Sequence, residues 1–158
     1  MGDIVFKELV QLDLDVGSWE ELFKIMSEKL IESGYVTEDF LESIQAREEE
    51  YPTGLPIVPY AVAIPHTDPD CIITPFISSI RIKKAVPWRE MAANEVIHMV
   101  RFVFLLGFKK EGAGDAHVKL LQILVNNCQN PDFMEKLEKA EDIETYYKLV
   151  LSMEGMEE

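Results

Sequence analysis

Apolar positions recur at helical spacing early in the chain and run together later, and these patterns carry most of the fold. Ser18 precedes Trp19, Phe23, Met26 and Leu30 at i, i+4, i+7 and i+11, with Glu21 completing a capping-box pattern. This predicts an amphipathic helix stopped by Gly34. Thr37 is placed to cap a second helix with the stripe Phe40, Leu41 and Ile44, and with Glu38 and Asp39 in its first turn. Ala61-Val62-Ala63-Ile64 is too short for a helix and reads as a buried strand, closed by Pro65, so His66 stands at a strand mouth. The run VRFVFLLGF, ending at Phe108, is rich in β-branched and aromatic residues and predicts a central strand.

The remaining segments fill in around these. Residues 4 to 14 alternate loosely and suit a strand or a short helix followed by one. Residues 51 to 60, YPTGLPIVPY, hold three prolines and a glycine and are expected to form a shaped loop with no regular element. Asp68-Pro69-Asp70 marks a turn, Ile77 to Ile82 a strand, and Pro87 to Glu95 a polar connection. Asp115 is placed to cap a helix bearing His117, Leu121, Leu124 and Cys128 on one face. Asn130-Pro131 opens another helix and Asp142 a last one through about Leu151, before an acidic tail expected to fray from Ser152. The fold class expected is α/β: a single-domain sandwich over residues 1 to 158, with a mixed sheet of about five strands flanked by helices.

Charge narrows the partners. With 15 Lys+Arg against 29 Asp+Glu the formal net charge is -14, which repels nucleic acid and anionic lipid and favours a basic protein face. Cys71 and Cys128 are the only cysteines, with neither disulfide nor zinc spacing, which suits a reducing compartment. The N-terminus lacks the apolar core of a signal peptide and no apolar run approaches 20 residues, so a cytoplasmic protein without membrane insertion is expected.

Among three histidines, His98 sits within IHMV and suits a structural or exposed role. His66 ends one strand and His117 begins the helix after another, so both can reach the carboxyl edge of the sheet, where α/β folds collect ligands. An anion between them would also face the first-turn amides of that helix. Arg47 falls on the face of Phe40 and Ile44; it either snorkels near the helix end or aims its guanidinium toward whatever that face packs on, where it could bind the same anion. This set suits a phosphoryl group, since imidazole is nucleophilic and forms a labile P–N bond. Purely structural histidines remain open, as does a metal site of His66, Asp68, His117 and Asp70. No Walker A loop, GxGxxG or GxSxG elbow is present.

The segment from Arg47 to Asp68, REEEYPTGLPIVPYAVAIPHTD, resembles the active-site stretch of the enzyme IIA domains of the phosphoenolpyruvate-dependent sugar phosphotransferase system, fructose/mannitol class. Within that class its wording is most similar to the galactitol-type proteins. The resemblance extends in order through R-E, T-G, A-I-P-H, V-F-L-L and H-x-x-L-L, and so covers nearly the whole chain. It implies a mannitol/fructose-type fold and a phosphocarrier without cofactor or metal. His66 would accept a phosphoryl group from phospho-HPr and pass it to a cysteine of the cognate IIB component, and through it serve the membrane IIC permease, for galactitol or a related sugar or polyol. By the same resemblance His117 would stabilise the phosphoryl group and Arg47 would bind it. Thr53 would add a hydrogen bond and Glu48 would orient Arg47. The chain departs from the commoner family pattern in Leu55 to Tyr60 and in Thr67, and residues 52 to 60 are therefore expected to select the partner. Two other readings stand beside this one: a regulatory module of the same fold acting through phosphorylation-dependent binding, and a metal-dependent hydrolase.

Overall fold

The computed structural model describes residues 2–109 and 113–156, with the side chains of residues 113–116 outside the description. After two single 3-10 turns the chain forms β1 (Gln11–Leu14), α1 (Trp19–Glu32), α2 (Phe40–Glu50), β2 (Gly54–Leu55) and β3 (Val62–Ala63). A further 3-10 turn leads to β4 (Phe76–Glu90), β5 (Ala93–Gly107), α3 (Ala113–Cys128), α4 (Pro131–Lys139) and α5 (Ile143–Leu151).

The sheet is mixed. β4 and β5 form a long antiparallel hairpin; β1 lies parallel beside β4, β3 parallel beside β5, and β2 antiparallel to β3. Gly54 of β2 also pairs with Glu90, so the far end of β4 bends back over the sheet. The bend comes from extra residues in β4: Arg81 faces Phe102 but Val86 already faces Val100, and such bulges increase local twist. Gly54 has no alternative residue, because a Cβ there would stand 2.6 Å from the Arg89 carbonyl oxygen.

Helices cover both faces, as the apolar run in β5 predicts. Val103 and Leu105 join Leu22, Phe23, Met26, Phe40 and Ile44 in one core beneath α1 and α2. Phe102, Phe104 and Leu106 point the other way, into a second core with Leu124, Met134, Tyr146 and Val150 of α3, α4 and α5. The expected α/β sandwich with a five-stranded mixed sheet is therefore what forms. Its local signals act as read: Ser18 Oγ accepts from the Glu21 N–H at 3.1 Å, Asn130 accepts from Asp132 and Phe133, and Asp142 accepts from Thr145. No helix among the described residues is long and apolar enough to cross a membrane.

Five expectations are corrected. The polar stretch Pro87 to Glu95 is no connection but the end of the hairpin, turning at Met91-Ala92, with Val86 and Trp88 buried between its charged residues. Pro87 is accommodated because β4 there has β5 on one side and β1 reaches no further than Ile82. The loop of residues 51 to 60 contains a regular piece, β2, because Gly54 and Leu55 find partners in β3. Helix α2 starts at Phe40, with Asp39 at the N-cap position and Thr37 bonded to the Cys71 carbonyl through its amide, so Glu38 and Asp39 precede the helix. Helix α3 begins at Ala113, which places Asp115 inside its first turn and not before it. The tail folds back as far as Met156, whose side chain is buried and whose carbonyl accepts from the Gly2 N–H.

Candidate functional site

The site forms where β3 and β5 end side by side. Pro65 breaks the ladder of β3, and its carbonyl takes the Leu106 N–H at 3.0 Å, fixing the loop against β5. His66 follows, part-buried, and Phe108 ends β5's extension opposite it. Helix α3 then brings His117 back: the two imidazole centroids stand 5.1 Å apart, nearly perpendicular at 83°. Phe108 stacks on His117 at 4.0 Å and 23°, and meets His66 edge-on at 6.2 Å. The topology thus brings together the two histidines expected to meet, across a span of 51 residues that includes the whole hairpin.

His66 Nδ1 lies 2.9 Å from the carbonyl oxygen of Ile64. A carbonyl only accepts, so Nδ1 carries the proton and Nε2 keeps its lone pair. Burial lowers the pKa of His66 to about 4 despite that hydrogen bond, helped by the nearby positive charge of Arg47 and by His117. Burial and Arg47 lower His117 as well. Both rings are therefore neutral near neutral pH. His117 Nε2 is buried and finds no hydrogen-bond partner among the described residues, an arrangement that costs free energy until a ligand supplies one.

Helix α2 supplies the rest, with a correction. Arg47 does not continue the buried stripe; it is exposed, with its guanidinium 5.5 Å from the centroid of the Tyr51 ring, although its charge still bears on both imidazoles. The stripe Phe40, Ile44 is continued at i+4 by Glu48, which is 2% exposed. Glu48 makes no bond to Arg47: Oε2 accepts from the Thr53 N–H at 2.7 Å and from Trp88 Nε1–H at 2.8 Å, and Oε1 accepts from the Thr53 hydroxyl at 2.8 Å. Thr53 accordingly spends its hydroxyl proton on Glu48. Burial pushes the Glu48 carboxyl up from its ordinary range while these donors pull it down.

The contributions of Phe108, Ser43 and Trp88 are not among the expectations. Phe108 sets the tilt of His117, and its signal was its position at the end of the strand that parallels β3. Ser43 and Thr67 share a hydrogen bond between their hydroxyls that ties α2 to the residue after His66; Ser43 lies one turn before Arg47, which is the one trace of it in the sequence. Trp88 was hidden in the stretch taken for a connection. The residues of the rival metal set do not converge. Asp68 Oδ1 accepts from the Asp70 N–H in a local turn, and no group of three or more His, Cys, Asp or Glu capable of holding a metal occurs among the described residues.

Comparison with known proteins bears on the family and the fold. The sequence profile of the family described as "Phosphoenolpyruvate-dependent sugar phosphotransferase system, EIIA 2" matches residues 3–153. The mannitol-specific phosphotransferase enzyme IIA component of Bacillus subtilis is 28% identical over 144 residues, covering 89% of this chain and 92% of that protein. The Bacillus subtilis protein described as "Probable licABCH operon regulator" is 31% identical over 134 residues, covering 85% of this chain; the chain spans about a fifth of that protein, at 19% of its length. Among solved structures, the nitrogen regulatory protein IIA-Ntr from Neisseria meningitidis superimposes with a TM-score of 0.76 at 26% identity, over 94% of this chain and 97% of that one.

Proposed function

The chain belongs to the EIIA 2 family of the phosphoenolpyruvate-dependent sugar phosphotransferase system, and from that membership we propose that it is a cytoplasmic phosphocarrier whose His66 Nε2 takes up and hands on a phosphoryl group. The observation that carries this is the Ile64 carbonyl on Nδ1–H, which leaves Nε2 as the free nucleophile beside an unpartnered His117 nitrogen. The Nε2 lone pair attacks phosphorus in phospho-HPr; the new N–P bond forms as the donor's N–P bond breaks and the donor imidazole leaves. A cysteine thiolate of a IIB component then attacks in line, forming S–P as the His66 Nε2–P bond breaks and its electron pair returns to Nε2, which restores the neutral ring. At neutral pH the ring is neutral with its proton on Nδ1, so no proton has to leave Nε2 before attack. His117 donates to a phosphoryl oxygen from the nitrogen that has no partner at rest, and Arg47 swings its guanidinium from Tyr51 onto the same group. Glu48 and Thr53 support the site without touching the phosphoryl group. Within residues 52 to 60, Pro52, Thr53 and Gly54 are buried, and the exposed Pro56, Val58 and Pro59 face the partner; the galactitol-like wording of this loop favours galactitol or a related polyol as the sugar served through the IIB and IIC components.

Incubation with phosphoenolpyruvate, enzyme I and HPr tests this: an acid-labile gain of one phosphoryl group is expected, absent in His66→Ala. Lack of transfer to the wild type refutes the proposal. His117→Ala is expected to load but to release slowly to IIB, and unimpaired release contradicts its role.

A second reading is favoured by the likeness to a protein described as an operon regulator and to a nitrogen regulatory protein. In it, the same phosphorylation controls binding of a regulated partner. Phosphorylation that no IIB component can discharge would select this reading over transport.

A further inference from the structure

Glu48 is a buried acid in a short acidic run, and its three hydrogen bonds join elements that otherwise hold each other weakly. Strand β2 is a mere two residues, shorter than the usual three to ten or so, so ladder bonds alone give it little strength. Glu48 reaches from the last turns of α2 to occupy both the amide and the hydroxyl of Thr53, and to take the Trp88 indole N–H from the hairpin. Burying a carboxylate is costly unless donors satisfy it, and satisfied from two sides it becomes a rigid brace. The braced residue leads directly to the nucleophile. The Thr53 carbonyl accepts from the Ile64 N–H at 3.3 Å, and the Ile64 carbonyl accepts from His66 Nδ1–H at 2.9 Å.

For its catalytic consequence the following rests on the phosphocarrier reading; for its geometry it does not. We infer that Glu48 is a positioning residue that holds His66 in the tautomer with a free Nε2, acting through Thr53 and Ile64. Which imidazole nitrogen carries the proton is set by the hydrogen bond that the other one makes or lacks. If Thr53 shifts, Ile64 shifts with it, the acceptor leaves Nδ1, and the Nε2–H form, which has no lone pair for attack, gains population. Orienting Arg47 is no alternative role, since adjacent residues on a helix do not face each other and both Glu48 oxygens are already occupied.

The test uses the full chain, labelled with nitrogen-15, and reads the histidine rings by long-range proton–nitrogen correlation at neutral pH. Wild type is expected to show a protonated Nδ1 and an unprotonated Nε2 at His66. Glu48→Gln keeps the shape but sets an amide against donors; both ring resonances of His66 are expected to move toward each other, and loading from phospho-HPr to slow roughly tenfold to a hundredfold. Trp88→Phe removes the hairpin's donor and leaves both Thr53 bonds, so the His66 tautomer is expected to stay as in wild type. Unchanged His66 resonances in Glu48→Gln overturn the inference. So does a shift in Trp88→Phe equal to that in Glu48→Gln, because the effect would then be general loosening. If Glu48→Gln does not fold, Thr53→Val, which loses the hydroxyl donor alone, is expected to shift the resonances the same way by less; no shift there also overturns it. The ring spectra are recorded before any phosphoryl donor is added. A wild type that cannot be phosphorylated would therefore refute the phosphocarrier reading and leave the tautomer result standing.

Discussion

Burial of the His66 ring should be measurable as acid lability. In the folded protein the ring ionises at about 4, against 6.5 for the unperturbed side chain, chiefly because burial disfavours the cation. Above 6.5 the ring is neutral in both folded and unfolded chains, and its contribution to stability is fully present. As the pH falls from 6.5 the unfolded chain gains a proton that the folded chain refuses, and stability is lost progressively until the folded ring also protonates near 4. At about 1.4 kcal/mol per pH unit the full loss is roughly 3 kcal/mol, of which about 2 kcal/mol falls between pH 7 and pH 4.5. Carboxylates add their own acid dependence, so the informative quantity is the difference between wild type and His66→Gln. Urea unfolding at those two pH values should show wild type losing about 2 kcal/mol more than the variant. Equal losses refute the reasoning, as does a His66 ring that titrates with a midpoint near 6.5. The same neutrality predicts that phosphoryl loading stays insensitive to pH on the acceptor side down to about pH 5.

Other predictions concern the frame that carries the site. Arg81 is 4% exposed; its Nη1 donates to the carbonyls of Leu137, Glu138 and Ala140 at the end of α4, and its Nε and Nη2 to the Asp13 carboxylate. Arg81→Ala orphans buried carbonyls at about 1–3 kcal/mol each, while half-exposed Asp13 returns to water, so a loss of about 3–5 kcal/mol is expected in urea unfolding; a loss under about 1 kcal/mol contradicts it. Gly107→Ala would push a methyl into the fully buried Phe76 ring, at a cost of about 1–3 kcal/mol, and a melting temperature equal to wild type would show that the ring yields freely.

What could be read in advance follows from how local its cause is. Ser18, Asn130 and Asp142 cap helices through bonds to amides at most three residues away, so their meaning was complete within a short window. The apolar run of β5 was equally plain, because a strand covered on both faces needs no alternation. The hairpin's outer half was not legible. A bulge between Arg81 and Val86 breaks the period, and beyond it Glu90 bonds His98 across the hairpin, a pairing that looks like loop polarity until both strands are in place. At the site, His66 and His117 could be placed on one sheet edge from chain order, but the stacking of the Phe108 ring on His117 could not.

Glu48 was the hardest case. It stands in the run Arg47-Glu48-Glu49-Glu50, where its acidic neighbours are exposed and differ from it in nothing that composition or charge records. Its i+4 spacing from Ile44 was a local clue, but an acid at that spacing ordinarily argues that the stripe has ended. Its burial was decided instead by donors five residues away in Thr53 and 40 residues away in Trp88. The Arg47 guanidinium rests outside against the Tyr51 ring, its charge bearing on both imidazoles, while the Glu48 carboxylate is held beneath the surface by the uncharged donors of Thr53 and Trp88. The order of the two residues along α2 therefore puts the cation at the surface and the carboxylate in the bridge between α2, Thr53 and Trp88.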